Sequence, residues 1–154
     1  MTVEAKSRHR PGVINQPGHI EEEKLLRGDV WRLLNDALDK NPDNGPFFIF
    51  IDLNSPLTPN IEMQEKQWFK DLSQIITGFE DSSPQKPDPY NAVFFTNFSF
   101  YYQTEKEADP AEHLILFTRC PKYVLPDGHL LNMLQSSLSY YGAVPNIGVD
   151  GISF

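Results

Sequence analysis

Apolar residues recur along this chain in two rhythms. Leu26, Val30, Leu33, Leu34, Ala37 and Leu38 fall at helical spacing and form one stripe, which predicts a helix over about 21–40. Glu21, Glu22 and Glu23 in its first turn suit the positive end of the helix dipole, and Asn41-Pro42 ends it. Trp68, Leu72, Ile75, Ile76 and Phe79 predict a second helix over about 62–78. Leu130, Leu134, Leu138 and Tyr141 predict a third over about 128–141, with Gly142 placed to stop it. The other rhythm is that of strands. Pro46–Leu53 (PFFIFIDL) is continuously apolar between turn signals, as expected of a strand buried on both faces in a parallel sheet. Ala92–Phe100 and His113–Arg119 read as two more strands, joined as a hairpin through the acidic connector TEKEADPAE. Thr2–Lys6 alternates, with Val3 and Ala5 on one side and Glu4 and Lys6 on the other, and predicts a strand at the start.

The expected order is β-α-β-α-β-β-α. The fold class is therefore α/β, a mixed sheet flanked by helices, whose opening β-α-β unit holds its two strands parallel. Residues 11–18, with two Pro-Gly steps, and residues 81–90, with Pro84, Pro87 and Pro89, read as loops. There is no internal repeat and no break in composition. Residues 1–142 are expected as a single domain and 143–154 as an extended C-terminal tail. At 154 residues the chain can bury a substantial core.

Charge and residue counts narrow the chemistry. The net charge of −8 argues against general affinity for bare nucleic acid. The sign is uneven, because the first ten residues carry Lys6, Arg8 and Arg10 against Glu4. Any phosphate-facing patch is expected there, with Arg8, His9 and Arg10 as the nucleic-acid contacts; the alternative is a solvated loop. A single cysteine, Cys120, excludes an intramolecular disulfide and any multi-cysteine metal cluster, and reads as a buried or loop thiol. His9, His19, His113 and His129 are scattered, with no pair at ligand spacing. No GxSxG, P-loop or GxGxxG occurs. The aromatic run Phe94, Phe95, Phe98, Phe100, Tyr101 and Tyr102 reads as core and hairpin packing, with Tyr101 and Tyr102 the more exposed pair. No apolar segment of the secretory kind follows the basic opening residues. The longest apolar run, Phe47–Ile51, is far below the ~20 residues of a membrane span. The expectation is a cytoplasmic protein that does not enter a membrane.

One triplet carries candidate chemistry. In a strand, residues two apart point the same way, so Glu4 and Lys6 share a face. A carboxylate is a hard oxygen ligand suited to Mg²⁺, and an adjacent ammonium can stabilise charge developing on a phosphate. The same spacing occurs at Glu22-Glu23-Lys24, in a predicted helix, where it carries no such meaning. The longer stretch VEAKSRHRPG, followed by a helix and an apolar strand, resembles the restriction-endonuclease-like PD-(D/E)xK nuclease superfamily over roughly residues 2–53. That resemblance implies a divalent-metal-dependent nuclease domain hydrolysing phosphodiester bonds, with Mg²⁺ as cofactor, Glu4 as metal ligand and Lys6 as catalytic lysine. The superfamily places a first acid upstream, on a preceding hairpin, whereas only Met1, Thr2 and Val3 precede Glu4 here. Pro87-Asp88 comes after the pair and reads as loop. Two repairs follow: the chain is the C-terminal part of such a core, or the second acid has moved. Asp52 is the candidate for the moved metal ligand, because it ends a strand expected to lie parallel to Thr2–Lys6. Otherwise Asp52 caps the loop that follows it. Asp52-Leu53-Asn54 after FFIFI is also similar to the haloacid-dehalogenase-like phosphatases, with Asn54 where most of those carry an acid/base Asp. The rival to a nuclease is a non-catalytic α/β module of the same architecture that binds a protein partner, which the negative charge favours. Composition leaves the oligomeric state open.

Overall fold

The computed structural model describes residues 1–8, 23–55, 60–77, 82–97, 112–125 and 132, 133 and 136. Four strands form one sheet in the order β1-β2-β3-β4: β1 Thr2–Ser7, β2 Phe47–Asp52, β3 Ala92–Asn97 and β4 Glu112–Phe117. The first three are mutually parallel and β4 runs antiparallel to β3. This is the α/β class with a mixed, open sheet. The parallel β1-α1-β2 unit expected from the sequence is present, with α1 spanning Glu23–Leu38.

Helix α1 forms because its apolar stripe closes onto the sheet. Leu26, Val30, Leu33, Leu34 and Ala37 are buried against Phe47, Ile49 and Ile51 of β2 and Val93 and Phe95 of β3. Asn41 then accepts a bond from the Asp43 amide at 2.9 Å, an Asx turn in which Asp43 takes φ of 53°. The second predicted helix is broken in two. A 3₁₀ turn at Met63–Glu65 ends at Lys66, whose backbone is extended, and helix α2 runs over Gln67–Thr77. Periodicity missed the break because Met63, Trp68, Leu72 and Ile75 reach the same core from both sides of it. Asp71 is fully buried on α2 and accepts from Arg27 of α1 at 2.7 Å and from Gln67 at 3.1 Å, tying the two helices together.

The sheet has two unlike faces. On the helix side lie Phe47, Ile49, Ile51, Val93, Phe95 and Leu114. On the other, Phe48, Ala92 and Phe94 are buried with Phe50, Ile115, Phe117 and Leu125 packed against them, and the rings of Phe50 and Phe94 stack 4.3 Å apart. Burial of a large apolar side chain contributes about 1.5–3 kcal/mol. Both faces of β2 and β3 are therefore strong contributors, and for β2 the unbroken apolar run predicted this. Of the third predicted helix, Asn132, Met133 and Ser136 have helical backbone, and its remainder lies outside the described residues. So do the 81–90 loop's first residue, the β3–β4 connector with Tyr101 and Tyr102, and the tail 143–154. No helix among the described residues is long and apolar enough to cross a membrane.

Candidate functional site

Strand parity decides what each charged residue can meet. Glu4 lies opposite Ile49 and Lys6 opposite Ile51, so both project on the helix side of the sheet. They sit on an ordered strand and contact one another, Lys6 Nζ to Glu4 Oε1 at 3.1 Å. Both are largely buried yet reach water, with side-chain exposures of 15% and 23%. The same carboxylate oxygen also accepts from Lys40 Nζ at 3.0 Å, and Lys40 lies just beyond the end of α1. The bond from Lys40, then that from Lys6, holds the Glu4 carboxyl below its usual range. Glu4 is thus a carboxylate at neutral pH, held between two ammonium groups.

Asp52 does not join this group. It pairs with Ser7 in the β1–β2 register, and Ser7 and Asp52 face away from the helices. The second acid expected at Asp52 is therefore on the opposite side of the sheet from Glu4. Its carboxylate instead accepts from the Ser7 hydroxyl at 3.4 Å and the Thr96 hydroxyl at 3.3 Å, one from each neighbouring strand. The reading of Asp52 as a metal ligand beside Glu4 does not fit this side of the sheet. The bonds found tie neighbouring strands together. His113 lies next in that row, opposite Thr96. Burial lowers the pKa of its imidazole.

Arg8 also departs from the reading as a phosphate contact. It is buried, and its guanidinium donates to Asp29 Oδ2 of α1 at 3.1 Å, to the Leu53 carbonyl at 3.0 Å and to Ser55 Oγ at 3.2 Å. Its role is to fasten the end of β1 to α1 and to the chain leaving β2. His9 and Arg10 lie outside the described residues. Asn54, with φ of 47°, turns the chain after β2 and donates to the Arg8 carbonyl at 3.3 Å.

A second charged cluster, which no local pattern announced, closes the same end of the sheet. Extended Lys66 sends its ammonium inward to Glu112 Oε1 at the start of β4. Glu112 Oε2 accepts from Trp68 Nε1 at 3.0 Å and from Asn97 Nδ2 at 3.3 Å. Asn97 Oδ1 in turn accepts from the Ser55 amide at 2.8 Å. The carboxylate is bonded at both oxygens and nearly sealed from water, which is what keeps a buried ion pair tolerable. Apolar spacing runs on through Lys66, and its partner carboxylate lies 46 residues away, so no local signal points to the cluster.

The chain therefore places charges in two ways. Arg8, Lys66 and Glu112 are buried and bonded into the architecture. Glu4, Lys6 and Lys40 form a charged group that water and solutes reach. As a site for a divalent cation, the second group supplies one ionised carboxylate. No group of three or more His, Cys, Asp or Glu able to hold a metal ion occurs among the described residues. The described residues thus fit Mg²⁺ at one ligand only. Comparison of the chain with protein-family models, with curated proteins and with solved structures found no match.

Proposed function

We propose that this chain is a restriction-endonuclease-like domain, and that Glu4 and Lys6 are the acid-x-lysine half of a centre that hydrolyses phosphodiester bonds. The observation that supports this most is the pairing of Glu4 and Lys6 on an ordered strand of a parallel β-α-β unit, on the side that faces the helix and within reach of solvent. The residues have distinct duties in this reading. Lys6 carries a positive charge to the place where a phosphate would lose or gain negative charge. Glu4 holds that ammonium in position. A bound Mg²⁺ would supply Lewis-acid chemistry to the reaction. Glu4 would be its ligand among the described residues, since Asp52 faces the other side of the sheet.

A second reading is a non-catalytic α/β module that binds a protein partner. Two observations favour it: both lysines already occupy one oxygen of Glu4, and Arg8 is consumed by the fold rather than offered to a phosphate. One experiment separates the two. The purified chain is incubated with supercoiled DNA or single-stranded RNA in Mg²⁺ or Mn²⁺, beside Glu4→Gln and Lys6→Met variants whose circular dichroism matches the parent. Metal-dependent cleavage lost in both variants establishes the nuclease reading. No cleavage, together with no heat of Mn²⁺ binding by calorimetry, leaves the binding module.

A further inference from the structure

Among the described residues strand β1 is an edge of the sheet, and nothing there pairs with its outer side. Its hydrogen-bonding direction can be read from its two ends. The Thr2 amide donates to the Pro46 carbonyl and the Arg8 amide to the Asp52 carbonyl, each at 2.9 Å. Even-numbered residues therefore aim their backbone groups at β2. The odd-numbered ones, Val3, Ala5 and Ser7, aim theirs outward. A row of outward amide and carbonyl groups on an exposed strand is a template for another strand. Val3 on this strand is also half exposed.

We infer that this edge pairs antiparallel with β1 of a second copy of the chain, with Ala5 opposite Ala5 of the partner subunit. The order of charges selects both the occupant and the register. A twofold axis through Ala5 makes the strand its own complement. Val3 then exchanges backbone bonds with Ser7 of the partner subunit, and Ala5 with Ala5 of the partner subunit. Glu4 falls opposite the partner's Lys6, and Lys6 opposite the partner's Glu4. These are the non-hydrogen-bonded positions, where Cα atoms approach to about 4.5 Å and side chains are closest. Sliding the pairing by two residues one way sets Glu4 against the partner's Glu4. Sliding it the other way sets Lys6 against the partner's Lys6. Like charges directly opposite are unfavourable, so the hexapeptide encodes one symmetric register. In that arrangement the four charges alternate across the join, and each Glu4–Lys6 group is completed by the neighbouring copy. The inference stands on edge geometry and charge order, and does not depend on the nuclease reading.

The test uses the whole chain. Sedimentation equilibrium should show a concentration-dependent dimer. In a Cys120→Ser background, Ala5→Cys should form a disulfide-linked dimer on mild oxidation, because antiparallel hydrogen-bonded partners lie at about 5.5 Å between Cα atoms, within disulfide reach. Val3→Cys should not, because its own symmetry mate would be about 14 Å away. Lys6→Glu should weaken the dimer about tenfold or more by opposing like charges, and adding Glu4→Lys to it should restore the affinity. A monomer at every concentration overturns the inference. So does a dimer in which Val3→Cys cross-links as readily as Ala5→Cys, or one indifferent to Lys6→Glu.

Discussion

Two charged groups on the helix side of this sheet differ in almost everything but their residue types. Lys66 and Glu112 are nearly sealed from water, and the carboxylate is bonded at both oxygens by Lys66, Trp68 and Asn97. Glu4, Lys6 and Lys40 share one carboxylate oxygen, and Lys40 is 59% exposed. The first group is expensive to disturb, because removing either partner strands a charge in a medium that solvates it poorly. The second loses little on disturbance, because water replaces whatever is removed. Its charges are therefore the ones available to a ligand or a partner strand. Burial, more than the presence of an ion pair, separates charge that builds the fold from charge that can act on something else.

The sharpest way to break this comparison is Glu112→Ala. It leaves the Lys66 ammonium buried without its partner and should cost about 3–5 kcal/mol in urea unfolding. A loss below about 1 kcal/mol would mean that water reaches the cluster and that the two groups are alike. Arg8→Met comes next. It deprives the buried Leu53 carbonyl and Asp29 of their donor and should cost about 2–3 kcal/mol. It should also leave any nucleic-acid affinity unchanged, unlike Lys6→Met.

A smaller effect should come from pH. Burial lowers the pKa of His113 in the folded state. Below its ordinary value near 6.5 the unfolded chain binds a proton that the native state refuses, so stability falls as pH drops through that value and on toward the depressed one. The fall should be shallower in His113→Gln, as followed by thermal melts between pH 7.5 and 5 (a range bracketing about 6.5). Glu4→Gln should have the smallest effect on stability, within ~0.5 kcal/mol, since water reaches the network through exposed Lys40 and the substitution keeps the side chain's shape. If Glu4→Gln instead destabilises as much as Arg8→Met, the open group is architectural and the functional reading of it fails.

Much of the fold was legible along the chain. The stripe from Leu26 to Leu38, the unbroken apolar run at Phe47–Ile51 and the alternation at Thr2–Lys6 are local patterns, and each became the element it indicates. The break at Lys66 was not legible, since apolar spacing continues through it. Its cause lies 46 residues further on, at Glu112. The candidate site was legible by halves. Glu4 and Lys6 share a face because any strand gives residues two apart a common side. Lys40 could not be foreseen beside them, because it arrives from the far end of a helix.

Asp52 shows most clearly what only the tertiary structure decides. Its place at the end of a strand parallel to β1 was readable, but its side was not. In the register found, Ser7 lies opposite Asp52. A slip of one residue would have put Lys6 there and turned Asp52 toward the helices. Periodicity within each segment determined which residues form strands and helices and which of their faces are apolar. Register between segments, set by how the two apolar faces of β2 are packed, determined which charges meet. No segment carries that information alone, because a strand's parity has meaning only relative to its neighbour.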